Sequence, residues 1–298
     1  MSALSTREIY VHIPIRELEK LVKEYALVDR LDLYEQKHRS KIPLDMLIIA
    51  AEIGRIDCFC DLRAHSGKVS TKDKQRLIYS TSRYGYVSIL EELRINWKLS
   101  IEDARAYDNY ALREAASSGN IHVLVELRIN WKLTGDDVRA GNALQMAAEN
   151  GHAAVLVELR TNWGLTQKDA RFRDNYALRI AAWNGHVPVL IELRTNWGLT
   201  REDACSFGNF ALQIASINGH VDILKELQRG WDLTREDIRA DNNCVLRLAA
   251  KNGHANILKE LRMVWGLTRE DAQCVNILLT AENKRDAIIE EFRINWGL

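Results

Sequence analysis

Trp163-Gly-Leu-Thr-Gln-Lys-Asp-Ala-Arg171, then Asn175-Tyr-Ala-Leu-Arg-Ile-Ala-Ala-Trp-Asn-Gly-His186, then Val187-Pro-Val-Leu-Ile-Glu-Leu-Arg-Thr-Asn196 make up one unit, and the next residue is tryptophan again. Seven of the 8 tryptophans fall in this register, at Trp97, Trp131, Trp163, Trp197, Trp231, Trp265 and Trp296, with spacings of 34, 32, 34, 34, 34 and 31 residues. A fixed period in this range is the signature of a stacked array. Fainter copies precede the first tryptophan, around Leu47–Gly54 and Leu77–Gly85.

Within the unit, the paired alanines of Ala177-Leu-Arg-Ile-Ala-Ala182 predict a short helix packed closely on a neighbour. Gly185 sits where that helix must end, as do Gly54, Gly85, Gly119, Gly151, Gly219 and Gly253. A residue without Cβ reaches the positive φ of a helix C′ position. Val189, Leu190 and Leu193 then predict a second helix, with Pro188 tolerated in its first turn. Thr166, Thr200, Thr234 and Thr268 each precede an aspartate by three residues, a capping box with Asp for Glu that predicts a short third helix. No segment alternates with period two. The expected fold is all-α, a solenoid of about seven to eight 34-residue helical repeats over 45–298, with residues 1–44 as an N-terminal helical cap.

The run Ala-Leu-x-x-Ala-Ala-x-Asn-Gly-His-x-x-Val/Ile-Leu, beginning at 143, 177 and (with Val245) at 245, resembles the ankyrin repeat. The resemblance covers about 45–298 and implies a first helix, a Gly-His turn and a second helix, with the first helices lining a concave groove. Two features depart from that family: Glu-Leu-Arg, as in Glu192-Leu193-Arg194, replaces a leucine run, and the Thr-x-x-Asp signal replaces a Thr-Pro hairpin finger. The chain is thereby similar to the divergent Trp-Gly-Leu-Thr ankyrin-like arrays of intracellular bacteria and large DNA viruses.

Residues that recur in every unit are expected to be architectural, because each unit must stack on the next. The tryptophan ladder is read as core rather than as a platform for bases. One histidine per unit, His152, His186, His220 and His254, places neighbours ~8–10 Å apart, whereas zinc holds each nitrogen ligand at ~2.1 Å. Their expected role is hydrogen bonding to backbone at the helix junction. Cys58-Phe-Cys60 with His38 or His65 matches no zinc spacing and is read as core. Glu and Arg of the Glu-Leu-Arg motif do not face each other on a helix. They are expected to reach a neighbouring unit as exposed pairs worth ~0–1 kcal/mol each.

Enzyme signatures are absent. His65-Ser-Gly-Lys-Val-Ser70 lacks the first glycine and the Ser/Thr of a P-loop, and there is no nucleophile elbow, zincin or dinucleotide motif. Cys205 or Cys244 beside a histidine is the residual nucleophile. No cofactor is expected.

Binding is expected where units differ. The residue two before the turn glycine is Glu52, Arg83, Ser117, Glu149, Trp183, Ile217 and Lys251 in successive units, and the loop before the first helix holds Tyr107, Phe172, Arg173 or Phe207. The candidate partner-binding set is therefore Arg83, Tyr107, Glu149, Phe172, Arg173, Trp183, Phe207, Ile217 and Lys251. Phe172, Trp183, Phe207 and Ile217 are expected in one neighbourhood, forming a hot spot rimmed by charge.

In residues 1–44, Ile15, Leu18, Val22 and Tyr25 predict an amphipathic helix after Pro14. Ile13-Pro-Ile-Arg-Glu-Leu-Glu-Lys-Leu-Val22 is faintly similar to an F-box opening, which implies a ubiquitin-ligase adaptor as an alternative, an enzyme with an unrecognised groove site being another. The chain has 298 residues with 41 Lys+Arg and 41 Asp+Glu. A neutral chain lacks the surplus cations that phosphate backbones require. No stretch reaches the ~18–20 apolar residues of a membrane span, and 5 scattered cysteines indicate a reducing compartment. The expected chain is a cytoplasmic monomer, in a host cell if secreted as an effector, that binds a protein and neither nucleic acid nor membrane.

Overall fold

A computed structural model of the chain describes residues 44–65, 69–273 and 282–297. The expected cap, the F-box resemblance and the side chains of His38 and His65 lie outside the described residues. The chain forms two compact units, Met1–Ala143 and Leu144–Leu298. Among the described residues every regular element is a helix.

The first unit holds α1 (Leu44–Glu52), α2 (Ile56–His65), α3 (Thr71–Tyr84), α4 (Val87–Ile95), α5 (Ile101–Ser117), α6 (Ile121–Ile129) and α7 (Gly135–Ala140). The second holds α8 (Ala143–Glu149, starting one residue ahead of it), α9 (Ala153–Asn162), α10 (Gln167–Ala170), α11 (Phe172–Asn184), α12 (Val187–Thr195), α13 (Arg201–Ala204) and α14 (Ser206–Asn218). It continues with α15 (Val221–Arg229), α16 (Arg235–Lys251), α17 (Ala255–Met263), α18 (Arg269–Ala272), α19 (Glu282–Glu291) and a π-turn, Phe292–Trp296. In each unit the first helices of successive repeats pack in one row (α1, α3, α5; α11, α14, α16). The second helices pack in another (α2, α4, α6; α9, α12, α15, α17).

The alanines between the rows are buried, among them Ala177, Ala181 and Ala182 in α11 and Ala211 and Ala215 in α14. Small side chains let the helices approach closely. Gly185 has φ +77°, and a Cβ there would lie 2.9 Å from the His220 ring. The glycine thus serves both the turn and the seating of the next repeat's histidine.

The tryptophan ladder is core, with Trp131, Trp163, Trp197, Trp231, Trp265 and Trp296 at most 5% exposed and Trp97 half-buried. Each of the seven indole N–H groups is buried without an acceptor. A buried Trp withdraws ~150–250 Å² from water, at most about 4–6 kcal/mol at ~25 cal/mol/Å². That exceeds the ~1–3 kcal/mol cost of an unpartnered donor, so ring packing carries the ladder.

The predicted capping boxes are present at Thr166, Thr200, Thr234 and Thr268, and the structure adds others at Thr134 and Ser100. Their aspartates do more than cap. Asp203 also receives a fork from Arg171 of the preceding repeat, at 2.9 and 2.8 Å. Arg105 holds Asp137, and Arg239 holds Asp271, in the same way. Where Cys205 replaces the arginine, Arg201 reaches Asp237 instead, at 2.6 Å. Burial raises the Asp203 carboxyl, but the Arg171 fork and the Thr200 amide and hydroxyl outweigh it and hold it below the usual range.

The Glu-Leu-Arg motif does bridge repeats, through Arg94–Glu126 at 3.2 Å, Arg160–Glu192 at 3.7 Å and Arg194–Glu226 at 3.2 Å. The expectation of exposed pairs is corrected, because Glu126, Glu192 and Glu260 are only 4, 7 and 9% exposed. Where an asparagine precedes the tryptophan it completes the site: Asn196 Nδ2 donates to Glu192 Oε2 at 2.6 Å, and Glu126 accepts from both Asn130 Nδ2 and Arg94 Nε. A buried carboxylate with two donors, as at Glu126, is a register device rather than a solubility device.

Candidate interaction surface

The loop before each first helix has an unexpected backbone. Arg173, Asp174 and Asn175 have φ of 52, 55 and 58°, three consecutive left-handed residues without glycine. The same turn recurs at Tyr107–Asn109, Phe207–Asn209 and Asp241–Asn243. Each non-glycine residue there costs about 1–2 kcal/mol, so contacts must hold the turn. The third residue is an asparagine that donates to the next repeat: Asn175, Asn209 and Asn243 Nδ2 reach the carbonyls of Asp203, Asp237 and Asp271. Arg179 then donates to the carbonyls of Arg173 and Asp174, and Gln213 and Arg247 clamp their own turns likewise. Between Trp131 and Trp163 the loop is two residues shorter, with Asn142 its left-handed asparagine, which accounts for the 32-residue spacing.

Since backbone and asparagine fix the turn, its first side chain is free. Tyr107 and Phe207 are 65 and 61% exposed, Phe172 is 48% exposed, and Arg173 is exposed with its guanidinium 5.2 Å from the Phe172 ring centre. Arg179 lies 4.7 Å from the centre of Phe207 and 5.5 Å from that of Phe210, tying two repeats together by cation–π contact.

The position two before the turn glycine follows the same logic. The carbonyl of Glu149 accepts from His186 Nε2 at 2.9 Å and from Asn184 Nδ2 at 3.0 Å. Trp183 accepts from His220 and Asn218, and Ile217 from His254. The framework uses the backbone of these residues and leaves the side chain unassigned, which is why they vary. Trp183 is 47% exposed, Lys251 and Arg83 are exposed, and Glu149 and Ile217 are half-buried.

The single neighbourhood expected for Phe172, Trp183, Phe207 and Ile217 is corrected to two. Asn175 and Trp183 stand eight helical residues apart, roughly 12 Å at ~1.5 Å per residue. Phe172 and Phe207 flank the start of the first helices, and Trp183 and Ile217 their ends.

In the first unit the row of first helices carries a feature the sequence reading missed. Tyr79 of α3 and Tyr110 of α5 stack at 4.8 Å with an interplanar angle of 5°. Arg113 sits 4.8 Å from the Tyr110 ring centre, and Arg83 donates to Tyr79 Oη at 2.5 Å. Tyr79, Tyr110 and Arg113 border an open cleft of about 450 Å³ that reaches Tyr107 and Lys72. Burial foremost, then Glu114 and a hydrogen bond with Tyr79, push the Tyr110 phenol up.

One of the two residual nucleophiles, Cys205, is corrected as well. Cys205 Sγ lies 3.7 Å from Asp237 Oδ1, and burial and that carboxylate raise the thiol, opposing thiolate formation. Among the described residues no cluster of three or more potential metal ligands occurs, and no helix is long and apolar enough to cross a membrane.

The sequence profile of ankyrin repeats matches residues 178–271, in three copies. These residues are ankyrin repeats. No curated protein matches the chain. Ankyrin repeats are generally protein–protein interaction modules, and the family is typically non-enzymatic. The matched ankyrin repeats contain Trp183, Phe207, Ile217 and Lys251; Glu149, Phe172 and Arg173 lie ahead of the match.

Proposed function

We propose that the chain is a non-enzymatic interaction module that binds a protein through the variable side chains of its first-helix row and left-handed turns. The observation that carries this reading is the division of labour at Trp183: its carbonyl seats His220 and Asn218, while its indole stands 47% exposed. The turn residues Phe172, Arg173 and Phe207 supply a second cluster, with Tyr107, Arg83, Glu149, Ile217 and Lys251 at equivalent positions of other repeats. Exposed aromatic residues beside arginine are the composition of binding hot spots. The likeness to Trp-Gly-Leu-Thr arrays extends the proposal to a cytoplasmic, monomeric effector acting in a host cell, with residues 1–44 as its cap.

The test is affinity capture with the full chain and Trp183→Ala. Loss of specific captured proteins at an unchanged unfolding midpoint supports the reading. An identical captured set, or a large loss of stability, refutes it.

A further inference from the structure

The first unit's cleft has a chemistry of its own. Its aromatic lining is Tyr79, Tyr107 and Tyr110, and its charged lining is Lys72, Arg76 and Arg113, with no carboxylate among the lining residues. In a chain of zero net charge, three cations on one cleft are a local excess. The nearby acids are otherwise placed. Asp73, 4.0 Å from Arg76, caps α3 with Ser70, and Glu114 acts on Arg83 and Tyr110 without lining the cleft. The parallel Tyr79–Tyr110 pair lines the cleft and offers apolar ring surface to an apolar side chain.

We infer that this cleft binds an acidic peptide segment, with an apolar side chain against Tyr79 and Tyr110 and flanking carboxylates facing Lys72, Arg76 and Arg113. Openness favours a peptide over a small molecule, since small-molecule pockets bury most of the ligand surface, whereas Tyr107 here is 65% exposed. Arginine adds planar, bidentate recognition of carboxylates. The inference rests on the protein-binding reading but not on the aromatic residues of the second unit.

The experiment is fluorescence anisotropy of the full chain with labelled short peptides of Asp and Glu around a central leucine, at physiological salt. Versions with Gln for the acids, or with Gly for the leucine, are compared. The acidic leucine peptide is expected to bind about tenfold or more tightly than either version. Lys72→Gln with Arg76→Gln, both at exposed positions, and Arg113→Gln are expected to weaken it several-fold, Tyr79→Ala likewise, and Trp183→Ala not at all. No binding to the wild type, equal binding of the Gln or Gly version, indifference to the variants, or equal displacement by inorganic phosphate overturns the inference. If proteins are still captured through Trp183 while no acidic peptide binds, this inference alone fails. If Trp183→Ala leaves the captured set unchanged while the peptide results hold, the second-unit reading fails instead.

Discussion

Replacing Asp203 with alanine removes two structural links at once. The carboxylate, 9% exposed, accepts from the Thr200 amide at 2.8 Å, the Thr200 hydroxyl at 3.3 Å and the Arg171 fork at 2.9 and 2.8 Å. Loss of the cap alone costs about 1 kcal/mol. A fully buried pair would add several more, but the Arg171 side chain is 42% exposed and rehydrates when released. Its share is therefore discounted to about 1 kcal/mol. The expected destabilisation is about 2 kcal/mol, read by urea unfolding of the full chain followed by tryptophan fluorescence. A double-mutant cycle with Arg171→Ala should return a coupling of about 1 kcal/mol, since the fork joins two repeats. Asp286→Ala, at an exposed helical position of α19, is the control. A coupling indistinguishable from zero, or an Asp203→Ala cost no larger than that of Asp286→Ala, would refute the account of inter-repeat register.

Other expectations follow from the same contacts. Asp137, Asp203, Asp237 and Asp271 are all held below the usual carboxylate range, burial in each being outweighed by a Thr cap and an arginine of the preceding repeat. Their contribution is complete above the unfolded value near ~3.9 and is lost as pH falls through the lower folded values. Urea midpoints should thus drop steeply below about pH 4, with a shallower slope in Asp203→Ala. Trp197→Phe should cost under about 1.5 kcal/mol, since its N–H has no acceptor, against about 3–5 kcal/mol for Trp197→Ala, both by denaturant titration. Gly185→Ala should cost more than about 1 kcal/mol; combining it with His220→Ala should recover the part due to contact with the ring but not the part due to positive φ.

Much of the architecture was legible because its signals are local and repeated. The glycine turns, the Thr-x-x-Asp caps, the histidine bonds to backbone and the tryptophan core each depend on a few adjacent residues. The left-handed triplets were not legible. Asp174 and Asn175 tolerate that conformation better than other non-glycine residues, but Arg173 does not and nothing local calls for three in succession; Asn175 and Arg179 impose it through contacts with the next repeat and with the turn itself. The burial of Glu192 was hidden for a related reason, its partner Arg160 being 32 residues away. The cleft in the first unit was missed because Tyr79 belongs to a faded copy, and Tyr110 occupies a position that is aromatic again at Tyr176 and Phe210 and so reads as framework. Trp183 could be singled out in the sequence because it breaks the repeat, but its distance from Phe172 depends on where the turn ends and the helix begins.

The central claim is that a partner lies on the row of first helices and their turns. Site-specific photo-crosslinking tests it directly, with p-benzoylphenylalanine placed in turn at Trp183, at Phe207 and at Ile191, an exposed residue of the second helix α12. The account predicts protein adducts from positions 183 and 207 and none from 191. Adducts confined to position 191 would contradict it.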